Sequence, residues 1–200
     1  MAPPPGVGTR RRPGFGVLRC AAITALALVV AVGLAVLIIW FVIRPAPLEY
    51  VVDDARVRGF GLGGGRLNAT FDLVIWADNR NNKVAVYYDS MEVRVVYDDQ
   101  AVAVAQVAPF FHPHHNGTVI KVAAAAHSVP VGEATATATD LRRGRASGKL
   151  AVIVEVRARI RFRIASFKSK HYTMRVYCSP VDVFFSQSRR GERTDCDVDI

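Results

Sequence analysis

Three cysteines among 200 residues are too few for the disulfide framework of a small secreted scaffold, and none forms the C-x-x-C couples that hold zinc. No G-x-x-x-x-G-K-[ST] is present to cradle a nucleotide's phosphates, and no G-x-S-x-G presents a nucleophile. Acidic residues are missing from the first 19 positions, and residues 20–43 carry no charge of either sign. No repeat of fixed period and no heptad pattern runs through the chain. These absences, in a length that allows one ordinary domain, exclude a multi-domain enzyme, a polytopic transporter and a disordered polyelectrolyte.

What is present is unevenly spread. Of 26 basic residues, four (Arg10, Arg11, Arg12, Arg19) precede the uncharged stretch. That leaves 22 basic against 17 acidic residues, a net of +5, over the 157 positions from 44 to 200. The uncharged stretch is apolar at 22 of its 24 positions. As a helix rising about 1.5 Å per residue it is roughly 36 Å long, enough to cross a hydrocarbon core of about 30 Å. A cleaved signal peptide competes with this reading, but its apolar region usually runs about 7–15 residues. Here the run is longer and closes on Trp40, Phe41 and Arg44-Pro45, which suits an uncleaved anchor.

The excess of arginine before the span sets an expected orientation. Residues 1–19 are a basic cytosolic tail and 20–43 a single transmembrane signal-anchor helix. Residues 44–58 are a linker, and 59–200 form one domain across the membrane. Two N-x-[ST] sequons, at Asn68 and Asn116, fall on that outer side as glycosylation candidates. Cys178 and Cys196 lie there too and can close a disulfide in an oxidising compartment; two buried free thiols are the alternative. Cys20, beside Arg19, is a candidate for palmitoylation or simply a small apolar residue of the span.

Beyond the linker, period-two alternation dominates. Strand patterns occupy residues 71–77, 91–96, 101–108, 118–126, 152–164, 172–177 and 181–185. Turn chemistry separates them at 59–65, 78–82, 98–99, 109–117, 142–148 and at Ser179-Pro180. Residues 132–141 alone read as a short helix. The expected fold class is mainly β: an N-terminal transmembrane helix, then an antiparallel β-sandwich of about seven strands.

Few residues offer chemistry. Gly59-Phe60-Gly61-Leu62-Gly63-Gly64 formally fits G-x-G-x-x-G, but a strand pattern follows it where a crossover helix is required, so it reads as a turn. His112, His114 and His115 cluster without a Cys or Glu to complete a metal site, and read as a solvated loop. The acids sit mostly in turns, which gives neither a carboxylate pair nor a triad. One strand stands out. Arg157, Arg159, Arg161 and Arg163 are two apart, so all four side chains leave the same face, about 6.6–6.8 Å from one to the next. Either cross-strand acids neutralise them, or they form a site for a polyanion or an acidic partner. The stripe lacks the interleaved aromatics of a single-stranded nucleic-acid site.

The order of these features resembles a plant family. Asn82-Lys83-Val84-Ala85-Val86-Tyr87-Tyr88-Asp89 is followed by Pro109-Phe110-Phe111-His112 and Asn116-Gly117-Thr118. Then come Arg161-Phe162-Arg163-Ile164, Phe167-Lys168-Ser169-Lys170-His171-Tyr172, Val176-Tyr177-Cys178 and a terminal Cys196-Asp197-Val198-Asp199. Over about residues 15–200 this is similar to the harpin-induced-like, non-race-specific-disease-resistance-like family, whose outer region is a late-embryogenesis-abundant group 2 domain. Family members usually carry Asn-Pro-Asn before Tyr-Tyr-Asp. Here Ala77-Asp78-Asn79-Arg80-Asn81-Asn82 has no proline, which leaves the role of that loop open.

The resemblance implies a plant plasma-membrane protein linked to defence and stress, with a β-sandwich and no catalysis. The expectation is therefore an anchored, non-enzymatic interaction protein with its N-terminus cytosolic and its domain extracellular, using no cofactor and no metal. Its expected partners are the lipid bilayer, a protein or a second copy of the chain, and an acidic cell-wall polysaccharide, but no nucleic acid. The alternative is a lipid-handling domain that holds an acyl chain between apolar faces such as Val154, Val156, Ile160 and Phe162.

Overall fold

The structure is a computed structural model that describes residues 14–43, 46–132, 135–186 and 191–200, with side chains along the first helix described for residues 18–37. Arg10, Arg11, Arg12, Arg44 and Pro45, and the side chains of Trp40 and Phe41, lie outside the described residues. The chain divides into two units, Met1–Arg44 and Pro45–Ile200.

The first unit holds helix α1, Gly14–Ile43. It begins six residues before the expected span, directly after Pro13, and takes in Gly14 and Gly16. Its Leu18–Leu37 segment is long and apolar enough to cross a membrane, and none of it is buried. The Thr24 hydroxyl donates to the Cys20 and Ala21 carbonyls at 2.9 and 3.0 Å, which satisfies that polar side chain within the helix itself. Cys20 is free and exposed.

The second unit is antiparallel β. Its strands are β1 (Glu49–Gly63), β2 (Arg66–Asn79), β3 (Val84–Tyr97), β4 (Gln100–Val107), β5 (Phe110–His112) and β6 (Asn116–Pro130). After helix α2 (Ala136–Ser147) come β7 (Lys149–Ile164), β8 (Phe167–Lys168), β9 (Tyr172–Phe184) and β10 (Thr194–Asp199). Long ladders join β6–β2–β1 in one layer and β3–β7–β9 in the other. Narrow seams connect the layers. On one side β4 pairs along β3 but meets β6 only at Val104↔Ala125. On the other, β10 pairs with β1 at Val52↔Thr194 to Tyr50↔Cys196 and with β9 at Cys196↔Cys178 to Asp199↔Arg175. The sandwich is thus closed around its circumference by hydrogen bonds, which leaves few open edges.

Alternation builds the core. Leu67, Ala69, Phe71, Leu73, Ile75 and Ala77 of β2 point inward, as do Val152, Val154, Val156, Ala158 and Ile160 of β7. They meet Tyr50, Tyr88, Met91 and Met174, each at most 2% exposed. Each such large side chain contributes about 1.5–3 kcal/mol by leaving water. The Tyr50 and Tyr88 hydroxyls bond to each other inside this core, and burial pushes the Tyr88 phenol up to about 12.

Four expectations need correction. Residues 49–58 are not linker but the first part of β1, with Tyr50, Val52, Ala55 and Val57 buried. A register shift between Val52 and Asp54 interrupts their alternation and hides the strand. Within 59–65, only Gly64 and Gly65 turn, at φ of 56° and 68°, where a side chain would be strained. The described residues form ten strands rather than about seven, through β1, β5, β8 and β10, while the two strands expected on either side of Ser179-Pro180 are one, β9. Its ladder shifts register opposite Val152 and Val154, which gives the proline a bulge to occupy. The short helix lies at Ala136–Ser147, capped by Thr135, whose side-chain oxygen accepts from the Ala138 amide, and by Gly148 at φ 77°.

Candidate interaction surface

Strand β7 carries all four arginines on its outer face, as its alternation requires, but its neighbours divide them into two pairs. Arg161 is tied down. Its Nε donates to Asp89 Oδ2 at 2.8 Å, and its Nη2 to Asp89 Oδ1. That hydrogen bonding holds the Asp89 carboxyl below the usual carboxylate range. His171 Nε2 stands 3.3 Å from the same carboxylate. Arg163 donates from Nε to the Ala165 carbonyl at 2.9 Å and from Nη1 to the Tyr87 hydroxyl at 3.1 Å. Its guanidinium lies over the Phe111 ring at 6.0 Å.

Arg157 and Arg159 are exposed instead. In the ladder, Arg157 stands between Glu92 and Arg175, and Arg159 between Ser90 and Thr173. Glu92 is already engaged, with Arg94 through Nε and with Gln106 Nε2 at 2.6 Å. Among the described residues, neither Arg157, Arg159 nor the exposed Arg175 forms an ion pair. Arg157 and Arg159 border an open groove of about 380 Å³ with Ser90, Glu92, Gln106 and Thr173. Cross-strand neutralisation therefore holds for Arg161, while two forked donor groups remain directed at solvent, suited to carboxylates or phosphates.

The other expected sites are distributed over the sandwich. Cys178 and Cys196 form a disulfide between directly opposed positions of β9 and β10. Asn68 is exposed on β2, with its Oδ1 accepting from the Ser128 amide at 2.9 Å, and Asn116 is exposed at the start of β6. His114 and His115 are exposed, but His112 corrects the solvated-loop reading of the trio. It is fully buried, with Nε2 2.8 Å from the Asn116 carbonyl oxygen. Burial holds its pKa down. Among the described residues, no three His, Cys, Asp or Glu side chains gather around a metal position.

Asn79 and Asn81 were legible only as turn formers, yet both are buried. Asn79 Nδ2 donates to the Val84 and Pro113 carbonyls at 2.9 and 3.0 Å, and its Oδ1 accepts from Asn81 Nδ2 at 2.9 Å. Asn81 grips the backbone of Ala46 by both its N–H, at 2.7 Å, and its carbonyl, at 2.8 Å. The His115 amide completes the knot by donating to the Asn81 carbonyl. The loop without the proline is thus a clamp that fixes where the chain joins the sandwich.

Comparison with known proteins bears on this surface through its scaffold. Residues 75–178 match the family profile described as late embryogenesis abundant protein. The chain is 30% identical to NDR1/HIN1-like protein 3 of Arabidopsis thaliana, over 86% of this chain and 76% of that one. It is 26% identical to NDR1/HIN1-like protein 10 of the same plant, over 88% and 80% respectively. An uncharacterised Arabidopsis thaliana protein is 31% identical over 84% of this chain and 76% of its own length.

Proposed function

The chain belongs to the NDR1/HIN1-like family with a late embryogenesis abundant domain, and on that premise we propose that it is a plasma-membrane-anchored, non-enzymatic interaction protein serving plant defence and stress responses. The anchor is α1, whose exposed, apolar Leu18–Leu37 segment suits a hydrocarbon environment. The N-terminal arginines favour a cytosolic N-terminus and an extracellular sandwich, and a disulfide in that sandwich fits an oxidising compartment. Glycosidase treatment combined with protease protection in intact cells tests this topology. A domain protected from external protease and unchanged by glycosidase overturns it.

The observation that carries the interaction role is the pair of exposed guanidinium groups, Arg157 and Arg159, that border an open groove without an ion pair among the described residues. An acidic cell-wall polysaccharide or an acidic protein face is the chemistry they fit; a second copy of the chain could present such a face through Asp195, Asp197 and Asp199. Binding of the full chain in detergent to polygalacturonate tests the polysaccharide version. Arg157→Gln with Arg159→Gln should weaken it at least about tenfold, by analogy with losing charge-assisted contacts. Arg161→Gln should chiefly lower stability. Equal binding by the double variant and the parent removes the arginine face from the function. The lipid-handling alternative fares worse: Val154, Val156 and Ile160 are at most 1% exposed within the core, so an acyl chain would have to displace them.

A further inference from the structure

One end of the sandwich is defined by the clamp on Ala46. Three turns meet there: 80–83 between β2 and β3, 113–115 between β5 and β6, and 165–166 between β7 and β8. They adjoin closely enough to enclose an open cleft of about 560 Å³, lined by Asn82, Lys83, Phe111, Pro113, His114 and Arg163 among others. Among the described residues, no acid lines it. Phe167, at the tip beside it, is 73% exposed, the highest of any large apolar side chain in the sandwich. Lys168, which follows Phe167, sits 4.6 Å above the Tyr87 ring. At the other end, the β3–β4 turn carries the exposed acids Asp98 and Asp99.

An exposed phenylalanine followed by Lys168 and Lys170, beside a basic cleft, is a costly surface to leave in water, and it matches the interfacial zone of a bilayer, apolar just below and anionic at the headgroups. The covalent chain supplies the second argument. Ile43, which ends α1, precedes the clamped Ala46 by three residues, at most about 11 Å of extended chain. If α1 spans a membrane, the residue that the clamp holds follows the span within that length of chain.

We infer that this end is a headgroup-contacting face, with the phosphate of an anionic lipid taken between Lys83 and Arg163 and with Phe167 seated in the interface. The inference rests on α1 being a membrane anchor. It differs from the arginine groove of β7, which lies on the outer face of the β3–β7–β9 layer.

The test places the full chain in lipid nanodiscs and reads hydrogen–deuterium exchange by segment. With phosphatidylglycerol present, residues 80–84, 111–115 and 163–168 should exchange at least about fivefold more slowly than in phosphatidylcholine alone, and the 98–99 turn should not change. High salt should reverse the protection. Lys83→Glu with Lys168→Glu, both at exposed positions, should abolish it without lowering the melting temperature. Equal exchange in the two lipids, in a chain that has inserted, overturns the inference and leaves the anchor standing. A chain that does not insert into either nanodisc overturns the anchor, and the inference with it.

Discussion

Gly117 has no side chain because Trp76 fills the place where one would stand: a Cβ there would lie 2.1 Å from the indole ring. Gly117→Ala must push that ring off the β2–β6 surface, and overpacking of this kind costs about 1–3 kcal/mol. A lower melting temperature and a shifted tryptophan emission check it. His112 gives a pH dependence with a definite sign. Burial lowers its pKa, so the folded protein keeps the ring neutral while the unfolded chain takes up a proton near pH 6.5. Its contribution is complete above that pH and is lost as pH falls toward the lowered folded value. Asp89, also lowered, adds its loss only at more acidic pH, below its ordinary value of 3.8. The melting temperature should therefore decline between pH 7 and pH 5 in the parent and decline less steeply in His112→Gln. Parallel slopes would remove His112 from the acid response.

Helix α2 illustrates what an element needs beyond its composition. Residues 142–148 look like a turn rich in arginine and glycine, yet 142–147 continue a helix that begins at the Thr135 cap and stops only at Gly148. Thr135 also donates its hydroxyl to the Val131 carbonyl at 2.6 Å. Thr135→Ala should cost about 0.5–2 kcal/mol and speed amide exchange in the first turn of α2. Unchanged exchange there would assign the stability of α2 to Leu141 and Gly144 against β7 alone. The same contrast decides which features were legible beforehand. Strand β7 was readable because thirteen residues alternate without a break, and its outward arginines came with it. The split of those arginines was not readable, because Asp89 lies 72 residues from Arg161 and meets it only through the β3–β7 register. Strand β1 escaped because Asp53 and Asp54 flank its bulge and imitate a polar linker. Asn79 and Asn81 escaped because a buried asparagine and a turn asparagine look alike until their partners are placed.

At the level of the whole molecule, the Cys178–Cys196 bond fastens the seam between β9 and β10. It closes a loop of 18 residues, for which chain entropy gives about 3 kcal/mol. Cys178→Ala with Cys196→Ala should lower the denaturant midpoint accordingly, and reducing agent should do the same to the parent but not to the variant. Matching midpoints for parent and variant under oxidising conditions would place the seam's strength in its backbone ladder instead.

The other flank of β10 pairs with β1, made some 140 residues earlier. A chain that emerges N-terminus first therefore cannot complete its ring before β10 has been made. Until Thr194–Asp199 has cleared the ribosome or the translocation channel, β1 and β9 share only the single pair Arg56↔Phe184 along that side. Until then the nascent domain is a ring open along that one side, with part of its apolar interior showing, the kind of species that is prone to aggregate.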